Sequence, residues 1–229
     1  MLQRPVLNMI QPEHQRRAYL RAMGIDVWLP RGEAEEPAVP ESAPDLDWKE
    51  LRDCVTNCTR CELSRSRTNT VFGVGNRDAD WLIIGEAPGA EEDRRGEPFV
   101  GRAGKLLDEM LRSIGQSRDS VFIANILKCR PPNNRDPKPE EAAACRQYLE
   151  RQIQLVQPRI MLAVGKIAAQ NLLGSNETVG RMRGHPHELD GIPLVVTYHP
   201  AYLLRSPSQK SKSLSDLCLA MRLAAEYSA

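Results

Sequence analysis

From residue 81 onward, short apolar runs alternate with segments in which apolar residues recur at helical spacing. The runs are bounded by turn residues and suit strands that are buried on both faces; they are Trp81–Ile84, Val121–Ala124, Ile160–Val164 and Leu194–Thr197. The segments between and after them predict helices at Leu106–Ile114, Pro139–Val156, Ile167–Leu173 and Leu214–Tyr227. Strict alternation of strand and helix predicts an α/β fold, in which a parallel sheet is covered by helices on both sides.

The first 46 residues have a different pattern. Residues 1–31 form an N-terminal extension in which "PEHQRRAYLRAM", residues 12–23, predicts a short amphipathic helix ended by Gly24. Residues 32–46 hold three prolines and four glutamates with little to bury, which indicates a solvated linker. We therefore expect the folded domain to occupy residues 47–229.

Composition narrows the class of protein. A chain of 229 residues with 41% hydrophobic content can bury one core of ordinary size. No apolar run is long enough to span a bilayer, so we expect a cytoplasmic protein with no membrane partner. The formal net charge is only +1, but residues 1–47 carry five Lys and Arg against eight Asp and Glu. The body is therefore mildly basic, which permits a nucleic-acid partner without requiring one.

Polar residues follow the predicted strands. In open α/β sheets, ligands bind beyond the carboxyl ends of the strands. The residues at those positions are Glu86, Asn125, Gly165 and, after the fourth strand, His199. We therefore expect a carboxylate, an amide and an imidazole to meet at one rim of the sheet, although a lone histidine in such a place is more often structural.

The six cysteines are spaced in a way that suggests metal binding. Cys58 and Cys61 form a C-x2-C pair, and the Pro-rich loop "PPNNRDPKPEE" lies between Cys129 and Cys145. Four thiolates brought together would bind zinc or an iron-sulfur cluster, and the spacing alone does not choose between them. Cys54 adds a second interpretation, the three-ligand spacing of radical enzymes that use S-adenosylmethionine. A third interpretation is that all six are core residues; Cys54 and Cys218 are expected to be ordinary buried or half-buried residues.

Three stretches of the chain resemble family 4 uracil-DNA glycosylases, the bacterial and archaeal group that carries a 4Fe-4S cluster. They are "GEAPGAEEDRRGEPFVGRAG" (85–104), "ANILKCRPPNNRDP" (124–137) and "VTYHPAYLLR" (196–205). The resemblance runs from about Cys58 to the C-terminal helix. It implies a three-layer αβα fold with a four-stranded parallel sheet, and cluster ligands at Cys58, Cys61, Cys129 and Cys145.

The resemblance also implies roles in an enzyme that flips uracil out of DNA and hydrolyses its glycosidic bond, leaving an abasic site. Asn125 would read the base, His199 would stabilise the departing uracil anion, and Glu86 would activate water, with Glu92 as the second candidate or as a wall against the methyl of thymine. Family 1 enzymes carry an aspartate where this chain has Ala87. The remaining expected substrate contacts are Ala87; Gly89, where backbone approaches the base; Phe99, which stacks on it; Leu203, which fills the vacated stack; and Arg205, which contacts phosphate.

Several alternatives stay open at this level. The chain could instead be a non-catalytic or covalent-capture binder of uracil-containing DNA, although "GRMRGHPHEL", residues 180–189, is short and lacks the inserted basic loop of a relative that captures DNA. The DNA could be single- or double-stranded, and we expect a monomer associated with the nucleoid. The N-terminal helix either recruits a repair or replication partner or rests on the body.

Overall fold

The computed structural model describes Met23 and residues 45–226. The chain divides into two units, Met1–Val39 and Pro40–Ala229, and the architecture below belongs to the second. The predicted helix at residues 12–23 and nearly all of the predicted linker lie outside the described residues. The described body opens with a helix whose first turn is capped by Asp47: its Oδ1 accepts hydrogen bonds from the backbone N–H groups of Lys49 and Glu50, both at 2.8 Å.

One sheet organises the described residues, and its strand order is β1-β3-β2-β4-β6-β5. The strands are β1 (Val74–Gly75), β2 (Trp81–Gly85), β3 (Phe122–Asn125), β4 (Ile160–Val164), β5 (Pro186–Leu189) and β6 (Ile192–Thr197). The four predicted strands, β2, β3, β4 and β6, form the parallel centre. The sheet nevertheless has six strands rather than four, because β1 and β5 pair antiparallel at its two edges.

Strand β5 lies within residues 180–189, where the sequence pattern predicted no strand. Its side chains alternate between exposed and half-buried, so it offers no apolar run of the kind that marks the central strands. It is joined to β6 by Asp190 and Gly191, whose φ angles of 51° and 80° are those of a tight hairpin turn. The Asp-Gly pair between "HEL" and "IPL" was the available signal for this hairpin.

Helices cover both faces of the sheet, which confirms the three-layer α/β architecture. The described helices are α1 (Trp48–Thr56), α2 (Ala90–Arg95), α3 (Arg102–Arg112), α4 (Pro139–Val156), α5 (Lys166–Leu173), α6 (Val179–Met182), α7 (Pro200–Arg205) and α8 (Lys210–Glu226). None of these described helices has the length and hydropathy needed to cross a membrane.

The two layers have separate hydrophobic cores because neighbouring strand residues point to opposite faces. Leu82 and Ile84 of β2 pack with residues of α1, α4 and α5. Ile83, between them, packs on the other face with residues of α3, α7 and α8. Burial on both faces holds the central strands rigidly, and their carboxyl ends carry the site described next.

Candidate functional site

A cavity of about 770 Å³ opens at the carboxyl ends of the central strands. Glu86, Asn125, Gly165 and His199 all line it, and so do Ala87, Gly89, Glu92, Phe99 and Arg205. The structure thus brings the side chains selected from the sequence to one place, with the exception of Leu203. A volume of this size lies within the range of ordinary small-ligand sites.

Asn125, the last residue of β3, presents an unsatisfied amide oxygen to this cavity. The residue is 2% exposed, and Oδ1 has no hydrogen-bond partner among the described residues. Its strand neighbour, Gly85, makes room for it, because a Cβ there would lie 2.4 Å from Asn125 Oδ1 and 2.6 Å from Phe99 Cζ. An orphaned buried acceptor is costly unless a ligand supplies the donor.

Phe99 is held in a strained loop between α2 and α3. Its φ is 53°, in the left-handed region that a bulky residue rarely adopts. Arg118 stabilises the loop by donating hydrogen bonds to the backbone carbonyls of Pro98 (2.7 Å) and Phe99 (3.2 Å). Gly104 allows α3 to approach, because a Cβ there would lie 1.7 Å from the Phe99 carbonyl oxygen. The Phe99 ring stacks near the imidazole of His199, with centroids 5.7 Å apart and planes inclined by 28°.

Glu92 supports the same loop from below. Its Oε1 accepts hydrogen bonds from the backbone N–H groups of Val100 (2.9 Å) and Gly101 (3.1 Å), at the start of α3. Its Oε2 lies over Gly89, where a Cβ would approach to 2.7 Å. One oxygen of this carboxylate is thus engaged with backbone N–H groups, and its expected role as the second candidate base or as a wall against the methyl of thymine stays a prediction.

His199 has a defined tautomer and charge. It precedes α7, and its Nδ1 accepts a hydrogen bond of 3.1 Å from the backbone N–H of Ala201, which leaves the ring proton on Nε2. Burial, followed by the positive charge of Arg205, lowers the pKa of His199 to about 4, against a small opposing effect of Glu92. The imidazole is therefore a neutral donor at Nε2. Gly165 gives it space, because a Cβ there would lie 2.9 Å from His199 Cβ.

Glu86 lies directly after β2, and its pKa is raised, whereas the pKa of His199 is lowered. Burial, and secondarily the negative charge of Asp136, raises its pKa to about 7, while Lys166 acts in the other direction. A carboxylate with a pKa near neutrality can accept a proton and release it again at physiological pH. Asp136 and Lys166 also line the cavity and were not singled out from the sequence.

Helix α7 places one predicted site residue outside the cavity lining. Leu203, expected to insert into the base stack, is 1% exposed and packs in the hydrophobic core with Phe99 and Leu107. It cannot reach a ligand without leaving that core. Tyr202 (36% exposed) and Leu204 (43% exposed) are the apolar side chains that α7 presents to solvent. Tyr202 lines the cavity and packs beside Tyr198, with ring centroids 5.1 Å apart.

The four predicted metal-ligating cysteines also meet, at a second and smaller pocket. Cys58, Cys61, Cys129 and Cys145 line it together with residues of α1 and α4. No group of three or more His, Cys, Asp or Glu among the described residues is arranged to hold a single metal ion. Cys54 is half-buried on α1, and Cys218 is exposed, contrary to expectation.

The surroundings of these thiols have the chemistry of an anionic sulfur site. Burial raises the pKa of Cys145 to about 12 and also raises that of Cys129, so any bound metal must displace protons. Arg67 donates a hydrogen bond to Cys129 Sγ at 3.1 Å, and the Lys128 backbone N–H donates one to Cys145 Sγ at 3.3 Å. The buried Tyr148 hydroxyl neighbours Cys58 yet has no hydrogen-bond partner of acceptable geometry among the described residues. Hydrogen-bond donors directed at sulfur, together with the unpaired hydroxyl of Tyr148, fit an iron-sulfur cluster.

Comparison with known proteins gives a consistent answer. The family model of the uracil DNA glycosylase superfamily matches residues 72–220. A type-4 uracil-DNA glycosylase of Archaeoglobus fulgidus is 44% identical over 170 residues, which cover 71% of this chain and 85% of the relative. One from Thermotoga maritima is 46% identical over 162 residues, covering 70% and 84%. A type-5 uracil-DNA glycosylase of Thermus thermophilus is 35% identical over 118 residues, covering 45% of this chain and 53% of the relative.

Proposed function

Since the chain belongs to the uracil DNA glycosylase superfamily and is a DNA-repair hydrolase that excises uracil, we propose how its strand-end cavity carries out the reaction. The substrate is uracil-containing DNA, from which the nucleotide must be extruded before the bond to the sugar can be reached. One observation carries the proposal: an amide, a neutral imidazole and a carboxylate from three separate strand ends line a single cavity beside an aromatic ring.

Asn125 recognises the base. Its unsatisfied Oδ1 accepts a hydrogen bond from uracil N3–H, while its Nδ2 donates to O4. Cytosine has an acceptor at N3 and an amino group at C4, so it would leave both polar pairs mismatched. Each buried mismatch costs about 1–3 kcal/mol, which is enough to reject the normal base. Phe99 supplies a flat apolar face for the pyrimidine ring.

His199 stabilises the leaving group. When the bond between C1′ and N1 breaks, its electron pair passes to uracil, and negative charge spreads onto O2. The neutral ring donates from Nε2 to that oxygen, since Nδ1 is already occupied by the Ala201 N–H. A fixed donor aimed at a developing anion stabilises the transition state by about 3–4 kcal/mol.

Glu86 completes the hydrolysis. Its carboxylate accepts a proton from water as the water oxygen bonds to C1′, and the proton later neutralises the released uracil anion. The negative charge of Glu86 also offsets the positive charge on the sugar. The pKa of about 7 suits a base that must be ionised in a buried cavity at neutral pH.

Cys58, Cys61, Cys129 and Cys145 are the residues that would hold a 4Fe-4S cluster. Support comes from their meeting at one pocket and from the donors of Arg67 and Lys128 to sulfur. When bound, such a cluster ties the segment after α1 to the loop after β3 and to α4. Hydrolysis involves no net oxidation or reduction, and the steps above use protein side chains and water.

The rim of the cavity is the proposed contact with DNA. Tyr202 and Leu204 are the side chains on α7 that could enter the vacated stack, in place of Leu203, and apolar insertion between bases is an established device. Arg205, Lys210 and Lys212 follow in the chain and would contact phosphates. All the proposed reacting groups belong to one chain, so we propose that a monomer acts on the DNA of the nucleoid, and that the N-terminal extension, residues 1–31, binds a repair or replication partner.

A single assay tests the activity and its rival. An oligonucleotide with one uracil is incubated with the full chain, and both free uracil and alkali-labile strand are measured. Catalysis predicts many uracils released per protein and no protein adduct that survives denaturation. Covalent capture would give at most one uracil per chain and a stable adduct, and a non-catalytic binder would release none.

A further inference from the structure

A buried lysine lies between the cysteine pocket and the substrate cavity. Lys128 is 1% exposed, and it stands in the chain between Asn125 and Cys129. Its Nζ donates hydrogen bonds to the backbone carbonyl of Asn125 at 2.9 Å and to Gln152 Oε1 at 2.6 Å. Gln152 is fixed in turn by donating to the Phe72 carbonyl at 2.8 Å. The ammonium is thus anchored on the strand end that carries the base-reading amide.

The charge of this ammonium has no carboxylate partner. Both of its hydrogen-bond acceptors are neutral, and no Asp or Glu of the described part of the chain forms an ion pair with it. Lys128 also lines the cysteine pocket, where its backbone N–H donates to Cys145 Sγ at 3.3 Å. A buried charge is retained only when an opposite charge or a full set of hydrogen bonds compensates it. A cluster with four thiolate ligands carries a net negative charge that would do so.

We propose that Lys128 is both the counter-charge of the iron-sulfur cluster and the positioning residue that holds Asn125 in register with uracil. This proposal rests on the proposed function of the two sites. One residue then links them: Lys128 lines the cysteine pocket, while the N–H groups of its side chain fix the carbonyl of the residue whose side chain reads the base. The cysteine pocket thereby contributes to base recognition without taking part in the chemistry.

The charge role has a signature in the reduction potential. A nearby positive charge stabilises the more negative, reduced state of a cluster, so removing it must shift the midpoint potential to more negative values. Lys128→Met keeps an unbranched chain while removing the charge and the donors. We expect its potential to fall relative to wild type. Lys49→Met, which removes an exposed charge on α1, should leave the potential unchanged.

The positioning role has a signature in kinetics. Without the Nζ donors, the Asn125 carbonyl is free to move, and a small misplacement of a reading group costs up to about 100-fold in rate. We expect Lys128→Met to lower kcat for uracil release by about 10- to 100-fold with KM within about threefold of wild type. Ile153→Ala, a core substitution on α4 that removes no polar group, controls for lost stability and should keep kcat near wild type.

Lys128→Arg is the second variant, because it retains the charge and the donors in a larger side chain. Its potential should match that of wild type, and its kcat should exceed that of Lys128→Met. If Lys128→Met folds but holds no iron, while Ile153→Ala holds iron, that result would also support the charge role. An unchanged potential in Lys128→Met, or a fall in Lys128→Arg as large as in Lys128→Met, would overturn it. Wild-type kcat in Lys128→Met, or equal losses of kcat in both variants, would overturn the positioning role.

The proposed function and the inference about Lys128 are tested by different results. If wild-type protein releases no uracil, the proposed function is wrong, while the comparison of potentials still decides whether Lys128 compensates the cluster. If wild type releases uracil and the Lys128 variants behave like wild type in both assays, only the inference about Lys128 is wrong.

Discussion

The cysteine pocket and the strand-end cavity are built on opposite principles. Around the cysteines, donors already point at sulfur and the pocket is small. In the cavity, backbone and loops are fixed with equal care, yet Asn125 Oδ1 is left without a partner and the space is open. The first arrangement suits a group that is bound once and kept; the second suits a ligand that enters and leaves. The difference lies in which groups are already engaged: at the cysteines donors contact the sulfurs, whereas in the cavity the acceptor proposed to read the base is free for a ligand.

The largest effect is expected from disrupting the cysteine pocket. Cys129→Ala removes one proposed ligand, and loss of a bound metal group removes folding free energy along with it. We expect colourless protein that unfolds at far lower temperature than wild type or does not fold. Absorption near 400 nm, iron content and thermal unfolding measure this, with the exposed Cys218→Ala as control. Normal stability and activity without iron would show that the pocket holds nothing essential.

The next effect comes from the open site. His199→Ala removes the Nε2 donor, and the loss of one such donor lowers kcat by about 10²–10³-fold. Single-turnover release of uracil measures the step directly. His185→Ala, a histidine in the hairpin region, is the matched control and should leave the rate near wild type. A loss of less than tenfold in His199→Ala would mean that another group stabilises the uracil anion.

A third prediction concerns pH. Glu86 must be ionised to accept a proton, and its pKa is about 7, so kcat/KM should fall as the pH drops below 7. His199, whose pKa is about 4, stays neutral over that range and therefore adds no second limb to the pH profile of kcat/KM. Glu86→Gln should lower kcat by about 10²–10⁴-fold and abolish the acidic limb. A variant that kept the limb would assign it to a different group.

The smallest effect on excision is expected from substitutions at two adjacent leucines, Leu203 and Leu204. Leu204→Ala should slow excision from duplex DNA by several-fold and leave stability unchanged, because the side chain is 43% exposed. Leu203→Ala should instead cost about 2–5 kcal/mol of unfolding free energy, since it leaves a hole in the core. Chemical denaturation and duplex excision together resolve the pair. The reverse pattern would restore Leu203 as the inserting residue.

The sequence predicted the centre of the molecule better than its edges. β2, β3, β4 and β6 are apolar runs because both faces are buried, so their pattern is strong, and the rule on strand ends then located Glu86, Asn125 and His199. β5 is polar and half-exposed, and only its Asp-Gly turn gave a signal. The burial of Leu203 and the anchoring of Glu92 depend on how α7 and α3 pack, which local pattern does not encode. The burial of Lys128 could not be predicted, since lysine is almost never fully buried and its position between a strand and a cysteine predicts a surface residue.

The central claim is that Asn125 reads uracil in the strand-end cavity, and Asn125→Asp tests it most directly. An ionised carboxylate only accepts hydrogen bonds, so it makes one favourable and one repulsive contact with either base: it accepts from uracil N3–H and repels O4, or accepts from the cytosine amino group and repels N3. The discrimination that the amide provides is thereby lost. Rates of base release from matched oligonucleotides carrying uracil or cytosine give the answer. The account predicts that wild type releases only uracil, whereas Asn125→Asp loses at least about 100-fold on uracil and shifts its preference toward cytosine. A variant that still excises uracil at the wild-type rate and ignores cytosine would contradict the account.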